Sequence, residues 1–181
     1  MRDGSFLTLL RDVVSIRRPQ VTVTALGTPR APRYVPVTED VPCRLQPLAA
    51  NRAGTVLGQT EHATHAGYLE PADVRAGDLL VERVVRFELA EDVEAGSKGF
   101  VVSDEAGLAR GLKVELGAGE GSELHLVTDG IGGSVTVADA VSGDHPAGDP
   151  VYVVAVYEVC GVKDEAGQGH HLRLDLRVPG N

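Results

Sequence analysis

His171-Leu172-Arg173-Leu174-Asp175-Leu176-Arg177-Val178 alternates apolar and charged side chains without a break. Successive side chains of a strand point to opposite faces, so Leu172, Leu174, Leu176 and Val178 line a core face, and Arg173, Asp175 and Arg177 line an outer one. Upstream, Val151 to Val162 (VYVVAVYEVCGV) is apolar on both faces and rich in β-branched residues, the pattern of a strand covered on both sides. The polar turn Asp164-Glu165-Ala166-Gly167 joins the two runs. A second long strand is expected from Leu79, with Leu79, Val81, Val85, Phe87 and Leu89 on one face. Between these long runs lie four shorter ones, Gly99–Val102, Leu112–Leu116, Leu124–Val127 and Val135–Ala138, separated by glycine-rich turns.

Composition points the same way. Aromatic residues make up 4% and Trp is absent, while Gly numbers 22 and Pro 10, so the core is built from Val, Leu and Ala and broken by many turns. The expected fold is mainly β: a small discontinuous barrel or sandwich carrying an inserted second small β domain, with at most one or two short helices. One helix is expected where Ser5 precedes Phe6, Leu9, Leu10 and Val13, and a single helical turn at Pro71–Gly77. Val21–Ala25 and Val41–Leu45 alternate as strands, with Val41, Cys43 and Leu45 on one face, and Pro29, Pro32 and Pro36 make the intervening stretch an extended arm or loop rather than a helix.

Charge divides the chain. Val84–Pro150 holds 13 acidic residues against Arg86, Lys98, Arg110 and Lys113, a net of −9, while the remainder carries 13 of each sign. The expected domains are therefore 1–83 plus 151–181, neutral, and 84–150, acidic and inserted at a hairpin tip. This balance excludes a broad cationic nucleic-acid face. The apolar run Phe6–Leu10 is too short for a signal peptide or a membrane span, and a soluble cytoplasmic product with Cys43 and Cys160 as free thiols is expected.

Chemistry-bearing motifs are sparse. His62-Ala63-Thr64-His65 lacks the spacing and the glutamate of a zinc protease helix, and His170 and His171 point to opposite faces of a strand. A metal hydrolase using His62, His65 and Asp175 is the enzymatic alternative. The six histidines read as solvated surface groups, and Gly117-Ala118-Gly119-Glu120-Gly121, lacking the Lys-Ser/Thr of a phosphate loop, reads as a hairpin turn. The acidic stretches at Asp129 and Asp139–Asp149 match no calcium-loop order. No catalytic residue, metal ligand or cofactor is assigned, and an enzyme is not expected.

The segments RDVVSIRRP (11–19), EDVPCRLQPL (39–48), TEHATHAGYLEP (60–71), VRAGDLLV (74–81) and YEVCGVKDEAGQGHHLRLDLR (157–177) occur in an order that resembles the head-closure proteins of long-tailed double-stranded DNA phages, also called stopper or head-tail joining proteins. Residues 84–150 depart from that pattern and resemble small β modules that decorate phage virion proteins. The resemblance implies a homo-oligomeric ring, usually a dodecamer, assembled in the host cytoplasm and residing in the virion. Its implied neighbours are portal-adaptor proteins above and a tail or tail-terminator protein below, with packaged DNA in the channel and no membrane. It further implies that Asn51, Arg52, Gly54, Thr55, Val56, Leu57 and Gly58 form the loop that plugs the channel. Arg173, Asp175 and Arg177 are expected to contact a subunit or neighbour. The alternative is a virion-surface module whose acidic insert binds a host or neighbouring component.

Overall fold

The computed structural model describes residues 9–21, 26–28, 32–48, 63–104, 108–164 and 171–179. The protein is mainly β, and the described residues hold ten strands and a single 3-10 turn at Gly119–Gly121. The strands are β1 (Asp12–Gln20), β2 (Arg33–Pro47), β3 (His65–Leu69), β4 (Leu79–Glu88), β5 (Gly99–Val101), β6 (Lys113–Leu116), β7 (Glu123–Ile131), β8 (Ser134–Val137), β9 (Pro150–Lys163) and β10 (Leu172–Arg177). Two compact units result, Met1–Glu82 with Val156–Gly180, and Arg83–Ala155. The chain passes from one to the other inside β4 and β9, so each of these strands serves both units.

In the first unit the strand order β10-β3-β2-β1-β4-β9 returns on itself, because β10 also pairs with β9. Closure removes the free edges that an open sheet would leave. The antiparallel registers include Asp12↔Cys43, Ile16↔Leu80, Leu45↔Gly67 and Leu174↔Gly67. Val14, Ile16, Val41, Cys43, Leu69, Leu80, Val159, Leu174 and Leu176 form its core, as the alternation in β10 requires. Gly67 sits where Leu174 and Leu176 crowd the wall: a Cβ there would come within 3.0 Å of Leu176 Cδ1.

The turn into β4 is held by charge. Asp78, nearly inaccessible to solvent, accepts from the Arg18 guanidinium at 2.9 and 3.0 Å and from the Arg75 backbone N–H at 2.9 Å. Gly77 takes φ +91°, and its N–H donates to the Val159 carbonyl at 2.8 Å. The expected helical turn at Pro71–Gly77 is therefore a bend and a hydrogen-bonded turn, because Asp78 captures the N–H that a helix would use internally.

In the second unit β9 is followed by β6, β7, β8 and β5, and Leu89, Val93, Phe100, Val102, Leu108, Val114, Leu116, Val127, Val135, Val137, Val141 and Val151 form a core of their own. All four short runs are strands. Glu115, fully buried on β6, is met by Arg83 of β4, whose guanidinium also lies 4.6 Å from the Tyr152 ring centroid.

Three local expectations are corrected. Val13, expected in a helix, lies in β1, and Leu9–Arg11 are not helical, since strand pairing outweighs the weak propensity of one amphipathic turn; Ser5 and Phe6 lie outside the described residues. Pro36 falls within β2, where it faces Arg17, and Thr22–Ala25 lie outside the described residues. Leu79, Leu80 and Val81 are all buried whereas Val84 and Val85 are exposed, so β4 is covered on both faces where it joins the ring and does not alternate along its length.

Candidate functional site

The registers of the closed ring assemble an outward row that no single segment reveals. Arg44 of β2 opposes Tyr68 of β3, Tyr68 opposes Arg173 of β10, and Arg173 opposes Lys163 of β9. Directly opposed residues share a face, so three cations and one tyrosine stand in line across four strands. The next row holds Gln46, Ala66, Asp175 and Gly161. Beside these rows Leu9, Leu10, Arg44, Gln46, Tyr68 and His171 line an open depression of about 320 Å³.

Arg173 and Arg177 are half-buried on this face. Arg177 forms a two-pronged pair with Glu158, Nε to Oε2 and Nη2 to Oε1, both at 2.9 Å, and Glu158 raises the Arg177 pKa further above its ordinary value. Asp175 points the same way but is 1% exposed, with Lys163 Nζ 2.7 Å from its Oδ2. It is therefore a buried anchor for Lys163 and offers no open carboxylate to a neighbour. Alternation correctly separates it from the leucines, yet facing outward and being accessible are different properties. Asn51, Arg52, Gly54, Thr55, Val56, Leu57 and Gly58 lie outside the described residues. The strands on either side of them are fixed: Pro47 pairs with His65, and the Leu48 N–H donates to the Thr64 carbonyl at 2.9 Å.

One end of the ring interior gathers titratable groups. Tyr157 is raised by burial and by its hydrogen bond to Glu82, and Glu82 is itself raised by burial and by Asp12. Asp12 Oδ2 accepts the Leu45 N–H at 2.7 Å, and burial pushes the Cys43 thiol up to about 12. His65 stands edge-on to Tyr157, and burial lowers its pKa.

The second unit corrects the reading of the histidines as solvated. His125 and His145 are each 6% exposed and flank the buried Glu123. Their burial was hidden because His125 occupies an inward place on β7 and His145 lies in an irregular segment without periodicity. Several carboxylates of this unit accept backbone N–H groups: Asp144 Oδ1 accepts that of Ala95 and Asp92 Oδ1 that of Ala147, both at 2.8 Å, and Asp129 Oδ1 that of Gly130 at 3.0 Å. Among the described residues no three His, Cys, Asp or Glu side chains are arranged to hold a metal ion.

Comparison with known proteins yields no matching family model and no matching curated protein.

Proposed function

We propose that the chain is a structural virion protein that forms a homo-oligomeric ring at a phage head-tail interface, closes the DNA exit channel after packaging, and joins head to tail. The observation that carries this reading is the placement of the quoted segments. Arg11–Pro19 supplies nearly all of β1, Glu39–Leu48 supplies most of β2, His65–Leu69 is β3, Val74–Val81 enters β4, and Tyr157–Arg177 spans the second half of β9 and all of β10. The resemblance thus lies on the strands of one closed ring, in order. The β2–β3 connection, from which the plug would come, leaves from paired strands. On this reading Arg44, Tyr68, Arg173 and Arg177 meet a neighbouring subunit or head-tail component, and the charged row gives such a contact its specificity.

Sedimentation of the pure protein, followed by negative-stain imaging, is expected to show rings. Phage heads assembled without the protein should lose packaged DNA, and heads given the protein as packaging ends should retain it. Deleting Arg52–Gly58 should preserve the ring and restore the leak. Heads that stay closed without the chain would overturn the proposal.

A second reading, a virion-surface module in which Arg83–Ala155 binds a host or neighbouring component, is favoured by the separate core of that unit. Virions carrying the ring without residues 84–150 would then adsorb poorly while retaining their DNA.

A further inference from the structure

Glu123 opens β7 and anchors the chain between β8 and β9. Its Oε1 accepts the backbone N–H groups of Ser142 at 3.0 Å and Gly143 at 2.8 Å, and its Oε2 accepts that of Ser142 at 2.8 Å. The same carboxylate has an imidazole near each oxygen: His125 Nε2 lies 3.4 Å from Oε2, and His145 Nε2 lies 3.5 Å from Oε1. Both separations exceed a good hydrogen bond.

His145 is held from its other side. Its Nδ1 is 3.2 Å from Asp149 Oδ2, its backbone exchanges hydrogen bonds with Val93 at 2.8 and 2.9 Å, and its ring fills the space over Gly117, where a Cβ would come within 2.8 Å of Cε1. His125 has no such support. Neither of its ring nitrogens has a hydrogen-bond partner, although it is more than nine-tenths buried.

The charged and titratable groups acting on His125 are Glu123 on its own strand, Asp139 from the segment after β8, and His145 from the segment before β9, with Asp149 behind it. On β6 the residue opposite is Val114. Burial opposes charge on His125, and so does the neighbouring His145, while Glu123 and Asp139 attract a proton to it.

We propose that this cluster is an acid-operated latch: with His125 neutral, Glu123 clamps Ser142 and Gly143 onto β7, and protonation of His125 on mild acidification loosens that clamp and the unit Arg83–Ala155. The direction of titration supports it. Burial lowers the His125 pKa below the ordinary 6.5, and Glu123 and Asp139 offset only part of that effect. Burial raises Glu123, but the Ser142 and Gly143 hydrogen bonds outweigh it and leave the carboxyl below its ordinary value of 4.5. A histidine whose folded pKa is depressed favours the folded state above the unfolded pKa and loses that contribution as pH falls through the folded value. Glu123 is still ionised in the window just below 6.5, so His125 is the group that responds first.

The test uses the full chain. Amide exchange at Ser142 and Gly143, corrected for intrinsic rates, should accelerate severalfold, up to the roughly tenfold that one histidine can supply, between pH 7.5 and 5.5, and Tm should fall by about 2 to 4 °C, the shift typical of a modest destabilisation in a chain of this length. In His125→Phe the pH dependence should largely vanish, while in Glu123→Gln exchange should be fast at both pH values. A Tm that rises on acidification, or an unchanged pH dependence in His125→Phe, would overturn the proposal. Loss of the dependence in His145→Gln alone would assign the proton elsewhere and overturn it too. Should His125→Phe fail to fold, the imidazole resonances of the unsubstituted chain decide: a His125 still neutral below pH 6 supports the latch, and one that titrates at or above 6.5 defeats it.

Discussion

Arg83 and Glu115 form a two-pronged ion pair, Nε to Oε2 at 2.7 Å and Nη2 to Oε1 at 3.2 Å, with the Glu115 carboxylate fully buried. A carboxylate removed from water in this way needs its partner, because the desolvation cost is offset only while the pair is intact.

Breaking this pair from one side should cost more than removing both partners. Arg83→Ala should destabilise the protein by about 3 to 5 kcal/mol, as is usual when a buried charge loses its partner. The double substitution Arg83→Met with Glu115→Leu should recover much of that loss. Urea unfolding of the three proteins checks the order, and a double variant as unstable as Arg83→Ala would show that packing rather than charge matters here.

The two faces of β10 should respond differently. Leu174 is fully buried in the ring core, so Leu174→Ala should cost about 2 to 5 kcal/mol. Arg173→Ala, on the outer row, should shift stability far less. Thermal unfolding measures both, and the opposite ranking would mean that the strand register is displaced by one residue.

Both cysteines are free, and they should differ in reactivity. Cys43 is buried with its thiol pushed up to about 12, and Cys160 is half-buried with a smaller upward shift led by burial. Only the thiolate reacts, so iodoacetamide at pH 8 should label Cys160 well before Cys43 in the folded protein. Both should label rapidly in denaturant without reductant. Peptide mass spectrometry over a time course gives the ratio, and equal rates in the folded protein would contradict the burial of Cys43.

Glycines in the second unit should divide into two kinds. At Gly130 a Cβ would stand 2.0 Å from the Leu108 carbonyl oxygen, so Gly130→Ala must move backbone and should cost about 1 to 3 kcal/mol. Gly121 has nothing within 4 Å of a Cβ and no positive φ, so Gly121→Ala should be nearly neutral. Comparing the two by thermal melting tests whether Leu108 approaches β7 as closely as described.

Alternation made β10 legible, and the paired apolar faces of Val151–Val162 made β9 legible, because strand periodicity is a local property of the chain. The four short strands of the second unit were readable for the same reason. Burial on both faces of β4 at Leu79–Val81 was not, since an apolar run carries no mark of which neighbour covers it. The outward row of Arg44, Tyr68, Arg173 and Lys163 was equally hidden: its members are contributed by four strands, and register joins them.

By itself, then, the sequence determined the class of structure, the strand periods and the concentration of negative charge in Val84–Pro150. Each of these depends on neighbours along the chain. Only the tertiary structure decided that six strands close on themselves, that Asp175 is sealed by Lys163 despite facing outward, and that Glu123 lies between two buried histidines. Many of the contacts behind those outcomes join residues far apart in the chain, from Lys163 and Asp175 to Thr64 and Leu176, and their free energy depends on burial and geometry that no local pattern encodes.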